Sequence, residues 1–293
     1  MARRKATEKA AGPQPLRLGF YASRLALASV ILFMCTAAIF PFYWMIVTSI
    51  RPSALLFEYP PQLLPSSESV FSPYKEIFHD SNLGRWLWNS TIVSFMTALL
   101  ASFFGTMAAY SLARFRLRTG RASEMTFLLT QMLPGILLAL PMFPIFAKLG
   151  LLNNLAGLSL VYLAFLIPVA TALLKPFFEA IPVELEEASM IDGASRIQTM
   201  FRITLPLSLP GVASTFLFCF IIAWDEYLYA RIFIRDPDQW TISVGLASFS
   251  GEFVTPWDQV MAAATVTTLP AVLIFLALQR YLVRGLTAGG VKG

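Results

Sequence analysis

The chain is 293 residues long, 57% hydrophobic and only 13% charged, with a mean hydropathy of +0.66. Soluble domains carry roughly 25% charged residues, and a surface so poor in polar groups cannot be kept in water. Disorder needs the opposite balance, so the composition leaves a membrane protein. Cys35 and Cys219 both lie inside apolar runs, with no CxxC and no Cys/His cluster, which argues against a disulfide scaffold or a cysteine metal site.

Six charge-free windows longer than 20 residues follow one another: 25–50, 86–113, 125–147, 149–174, 203–224 and 259–279. Each is long enough to cross a hydrocarbon core of about 30 Å as a helix. A membrane barrel would instead show alternating strands of about ten residues. The expectation is therefore an all-α, polytopic membrane protein with six transmembrane helices. The first window is too long for a cleaved signal peptide, and its Phe40-Pro41-Phe42-Tyr43-Trp44 is no small-residue cleavage site.

The expected organisation is a basic arm over 1–24, a six-helix domain over 25–285 and a short tail over 286–293. With the N-terminus inside, 16 of the 22 Lys and Arg fall in inner segments and 6 in outer ones. The positive-inside rule then places both termini in the cytoplasm. On that reading the cluster Arg114, Arg116, Arg118 and Arg121 anchors the topology, and the net charge of +5 is not a nucleic-acid footprint. The basic arm suits anionic lipid headgroups, a weak signal.

Prolines interrupt the windows at Pro134, Pro141, Pro144, Pro168, Pro206 and Pro210. They fit either ordinary packing bends or a bundle built to move. Small residues between 98 and 109, among them Ala101, Ser102, Gly105, Ala108 and Ala109, permit close helix approach. The outer loop 51–85 carries Pro60, Pro61 and Pro65, which predict a segment without regular structure. The outer loop 231–258 is compatible with a lid, a docking loop or a plain connector.

The inner loop 175–202 carries the most information. Pro182 suits a first helical position, and Glu184, Glu186 and Glu187 complement the macrodipole in the first turn. Val183, Glu187 and Ile191 are spaced by four, as are Leu185 and Ser189, so the helix has mixed apolar and acidic faces. Gly193 is placed to end it in a left-handed cap. A second amphipathic stretch, 197–203, leads into the fifth window. A short acidic helix, a glycine bend and a second helix suit protein docking. Three glutamates in one turn argue against an anionic leaflet.

Glu187-Ala188-Ser189, three residues, Gly193, nine residues, then Ile203-Thr204-Leu205-Pro206 resembles the EAA loop of permease subunits of ABC importers. The spacing matches throughout, and the only departure is Ser189 where that family usually has alanine. Residues 279–293, QRYLVRGLTAGGVKG, resemble the C-terminus of carbohydrate-importer permeases of the maltose-transporter type. Ala223-Trp224-Asp225-Glu226-Tyr227 is similar to the W-N/D-E-Y/F element of the same group.

The resemblance implies the type I ABC importer permease fold in a bacterial inner (cytoplasmic) membrane. It implies a homologous second permease, two ATPase subunits, an extracytoplasmic solute-binding protein and a sugar as partners. Glu187, Ala188, Ser189, Asp192, Gly193, Ile203, Leu205 and Pro206 would couple the chain to an ATPase. Leu286, Thr287, Gly289, Gly290 and Lys292 would reach the ATPase interface. Ser250, Gly251, Glu252, Phe253, Val254 and Thr255 would touch the binding protein.

The chain has no GxxxxGK[ST] and no Gly-Lys pair, so no cofactor is expected in it, and ATP and Mg²⁺ belong to the partner ATPases. Trp224, Asp225, Glu226 and Tyr227 lie near the outer interface, where they read equally well as a solvated belt or as a pathway or gate. Glycerol phosphate is the alternative cargo. An intramembrane enzyme fits less well, because the single histidine, His79, lies in the outer loop. A stand-alone secondary transporter would show inverted repeats and mid-membrane acids, and neither is clear here.

Overall fold

A computed structural model describes residues 18–65, 69–115, 125, 129, 132–251 and 255–290, with the backbone alone for 18–22 and 281–290. Among these residues there is helix and no strand. The chain divides into two units, 1–45 and 46–293. In its described part the first unit is most of α1 (Leu18–Ser49), an apolar helix with Pro41 inside it.

The second unit holds the core. Its helices are α2 (Ser72–His79), α3 (Leu83–Arg114), α4 (Gly135–Lys148), α5 (Leu155–Glu179), α6 (Val183–Ile191), α7 (Arg196–Thr199), α8 (Leu205–Asp225), α9 (Leu228–Phe233), α10 (Ile242–Ser248) and α11 (Trp257–Gly290). Among the described residues, five helices are long and apolar enough to span a membrane, with α4 as a shorter apolar sixth. Toward the end of the third window lies α4, 14 residues with Pro134 as its N-cap; residues 126–128, 130 and 131 lie outside the described set.

α3 and α5 form the most extensive helix pair, α8 packs on both, and α11 packs on α8. The small residues of α3 make this approach possible. Ala98, Ala101, Gly105 and Ala109 are buried, and a Cβ on Gly105 would stand 2.6 Å from the Ala170 Cβ of α5. Ala108 is only half-buried. Large apolar side chains such as Phe103, Leu160 and Phe218 point outward, as a lipid-facing surface requires.

Two sequence expectations need correction. The outer loop 51–85 is irregular only in part: Pro73 stands in the first turn of α2, where a proline costs no backbone hydrogen bond, and α3 begins at Leu83. The stretch 197–203 is not a separate helix before the fifth span. Helix runs unbroken from Arg196 to Asp225, passing through a π turn over Met200–Thr204. Pro206 follows that turn and has no N–H to give, so the wider hydrogen-bond register lets the helix pass a position that would otherwise end it.

The outer loop 231–258 is stapled to α3. Trp86 Nε1 donates to Pro237 O (2.8 Å), Asn89 Nδ2 donates to Asp238 O and Trp240 O (3.0 and 2.9 Å), and Ile242 N donates to Ser90 Oγ (2.7 Å). A Cβ on Gly245 would collide with the Trp86 ring at 2.1 Å, so α10 needs glycine there. These bonds make the segment 237–245 a packed cap on α3.

Candidate functional site

The inner loop folds as its residues dictate. Pro182 is the N-cap of α6 rather than its first helical residue, and Glu184 and Glu186 occupy the first turn. At the other end Gly193 has φ +89°; its N–H donates to Met190 O (3.1 Å), and Ala194 N–H donates to Ser189 O (3.1 Å). These two bonds form a Schellman cap. Ser195 then starts α7 with a capping box, its hydroxyl accepting from Gln198 N while Gln198 Oε1 accepts from Ser195 N.

Gly193→Val is expected to open this bend, because a β-branched residue is strained at positive φ. The expected cost is roughly 1–3 kcal/mol for a residue held in that region. It should read as increased proteolysis between α6 and α7, with membrane insertion unchanged. A variant as protease-resistant as the wild type would show that the bend does not depend on the glycine.

The main departure from the sequence reading is Glu186. It does not belong to the acidic docking face: it is buried, and three side chains from two segments, α3 and the π turn, hold it. Arg114 Nε donates to Oε1 (2.7 Å), Tyr110 OH donates to Oε2 (2.9 Å) and Thr204 Oγ1 donates to Oε1 (2.9 Å). Arg114 Nη2 also donates to Ile181 O (2.9 Å), and the side chains of Arg114 and Glu186 are each 6% exposed. Around them pack Ala109, Tyr110, Leu174, Phe178 and Met200. The network fixes α6 to the inner end of α3 and to the π turn that opens α8. Arg114 is thus a structural ion-pair partner, whereas Arg116, Arg118 and Arg121 lie outside the described residues.

With Glu186 turned inward, Ser189 and Met190 (i+3, i+4) follow it onto the half-buried face. Ser189 Oγ bonds Thr199 Oγ1 at 3.1 Å, so the serine that departs from the family pattern ties α6 to α7. Glu187, Ala188, Asp192 and Gly193 are exposed, as are Val183, Leu185 and Ile191, the last at 86%. Val183, Glu187 and Ile191 therefore share an outward face, apolar with one central carboxylate. Ile203 lies in the π turn, and Leu205 and Pro206 open α8.

At the outer end the acidic pair splits. Both carboxylate oxygens of Glu226 accept backbone N–H groups, from Tyr229 (2.9 Å) and Ala230 (3.1 Å), so Glu226 caps α9. Burial, and then the Glu226 charge, push the Tyr229 phenol above its usual range; its hydroxyl donates to Gly135 O (3.0 Å). Asp225 is exposed, Trp224 is buried and Tyr227 is exposed. Ser250 and Gly251 are exposed and Thr255 is half-buried, while Glu252, Phe253 and Val254 lie outside the described residues. Leu286, Thr287, Gly289 and Gly290 continue α11 as helix, and Lys292 lies outside the described residues.

The sequence reading missed Glu186 and its partners. The available signal was that an acid and a serine three residues apart share the face of α6 opposite the Val183, Glu187 and Ile191 stripe.

Comparison with known proteins places this arrangement. The chain is 36% identical over 274 residues to the trehalose/maltose transport system permease protein of Thermococcus litoralis, covering 92% of this chain and 97% of that one. It is also 36% identical over 270 residues to the sulfoquinovosyl glycerol transport system permease protein of Agrobacterium fabrum, covering 92% and 93%. Its fold resembles a chain of a bacterial ABC transporter involved in the import of the acidic polysaccharide alginate. That match has a TM-score of 0.74 at 22% identity and covers 92% of this chain and 99% of that one. Residues 101–288, which include the whole inner loop, both elements of the outer acidic pair and nearly all of α11, match one family over more than half of the chain; the protein belongs to the binding-protein-dependent transport system inner membrane components.

Proposed function

We propose that the chain is one of two permease subunits of an ATP-driven importer that passes a carbohydrate from an extracytoplasmic binding protein to the cytoplasm by alternating access. The observation that carries the coupling part is the outward face of α6. Exposed Val183 and Ile191 flank Glu187 on a helix whose opposite face is locked into the bundle through Glu186. A rigid helix with an apolar, singly charged face suits a cleft on an ATPase subunit, and displacement of that subunit would move α3 and α8 together. ATP and Mg²⁺ are bound by that partner. The residues of α11 from Leu286 onward, with Lys292, are assigned to the same interface, and the segment 250–255 to the binding protein.

The carbohydrate assignment rests on the relatives. Those compared above are named for trehalose/maltose and for sulfoquinovosyl glycerol. That favours a sugar over the glycerol phosphate alternative. The orientation, with both termini cytoplasmic, rests on the Lys and Arg distribution.

Affinity purification of the chain from its native membrane is expected to bring down an ATPase subunit and a second permease. Reporter fusions at Ser69 and Gly251 should read extracytoplasmic, and a fusion at Ser195 cytoplasmic. A chain that purifies alone under mild detergent, or a cytoplasmic Gly251, would overturn the reading.

A further inference from the structure

At the outer end of α8 lies a cavity of about 280 Å³ lined by Trp224, Asp225, Tyr227, Ser243, Leu246 and Thr267. Its volume is close to the low end of ligand sites, which run from about 300 to 1,000 Å³, and suits a single sugar ring rather than a whole oligosaccharide. Two of its walls are aromatic. Trp224 is held rigidly, its ring stacked on Phe220 with centroids 5.6 Å apart, while Tyr227 is exposed. An aromatic face fixed in this way is a platform for the C–H face of a pyranose.

The polar lining is unusual in its sign. Ser243 Oγ donates its hydrogen to Glu226 O (2.6 Å), and Thr267 Oγ1 donates to Ala264 O (2.9 Å). With its hydrogen spent there, Ser243 Oγ accepts from Thr241 Oγ1 (3.0 Å) and keeps one free lone pair, and neither it nor Thr267 Oγ1 has a hydrogen left to offer a ligand. Asp225, as a carboxylate, only accepts. Glu226 is spent on the N-terminus of α9, so Asp225 is the acid left to meet a ligand, and among the described residues it has no hydrogen-bond or ion-pair partner. Among the described residues no cation lines this cavity. Arg231 lines a separate one beyond Tyr227, its guanidinium 5.7 Å from the centre of the Trp240 ring. Three acceptors and no cation match a ligand rich in O–H donors and repel an anion.

We infer that this cavity is a subsite for one ring of an uncharged sugar on the transport path, with Asp225 accepting from its hydroxyls and Trp224 stacking beneath it. The inference rests on the carbohydrate reading and adds the charge class of the cargo and a contact made by this subunit.

The test uses the complete importer, with both permeases, the ATPases and the binding protein, reconstituted in proteoliposomes. The probes are radiolabelled trehalose, maltose and diacetylchitobiose, set against aldobiouronic acids of the same length. The wild type is expected to import an uncharged probe and not its acidic counterpart. Asp225→Lys should lower that uptake about ten-fold or more, the scale of one charge-assisted hydrogen bond, with the complex still assembling with both permeases and the ATPases. Thr267→Val, nearly isosteric, should lower it less. Uncharged-sugar uptake that survives Asp225→Lys would overturn the subsite and leave the importer reading standing. Preference for the acidic probes would overturn the charge class. A wild-type complex that imports no sugar would overturn the carbohydrate reading, and the subsite with it.

Discussion

Replacing Glu186 by alanine is expected to destabilise the protein by about 3–5 kcal/mol, the cost of leaving one partner of a buried ion pair uncompensated. Arg114 would then keep a 6%-exposed guanidinium with only the Ile181 carbonyl to receive it. The Tyr110 and Thr204 hydroxyls would lose their shared acceptor. The measure is the thermal unfolding midpoint of the detergent-purified chain. The discriminating control is the double variant Glu186→Leu with Arg114→Met. Removing both charges removes both desolvation costs, so this variant should recover most of the lost stability. It should still transport poorly per ATP hydrolysed, because the charged network that joins α6 to both α3 and the start of α8 is then gone. If the single variant costs under about 1 kcal/mol, or if the two single effects simply add, the network is not the clamp described here.

Glu187→Arg is expected to abolish solute uptake and to release the ATPase subunit while leaving the permease folded in the membrane. Glu187 is exposed at the centre of the outward face of α6, so its removal costs the isolated chain almost nothing. In the complex, a carboxylate meeting a cation contributes roughly 1.5–3 kcal/mol, and an arginine in its place sets like charges against each other. Glu184→Ala, one turn earlier and also exposed, should be much milder. Uptake and pull-down of the ATPase are measured together for both variants. Near-normal values of both for Glu187→Arg would remove the coupling role from α6. The contrast between neighbours is the useful part: Glu186 variants should unfold more easily, whereas Glu187 variants should fold normally and fail to couple.

Hydropathy and charge were enough to read off the class of the protein, because apolar length against bilayer thickness is a one-dimensional criterion that needs no contact to evaluate. The glycine bend was legible for the same reason. Gly193 and its flanking residues satisfy a local hydrogen-bond pattern that closes within six residues. The family pattern from Glu187 to Pro206 was legible as spacing.

What sequence could not decide was which of the three glutamates Glu184, Glu186 and Glu187 turns inward. All three sit in one turn, and their local energetics are nearly equal. The choice falls to Glu186 because Arg114 and Tyr110, more than 70 residues away, lie beneath it once α3 packs against α5. The outer pair behaves likewise. Asp225 and Glu226 are indistinguishable by composition, and only the start of α9 claims Glu226 and leaves Asp225 facing the cavity. Membrane identity and the local bend are properties of short stretches of chain, so the sequence carries them outright. The assignment of individual charges to structure or to function depends on partners brought together by helix packing, and that packing exists only in three dimensions.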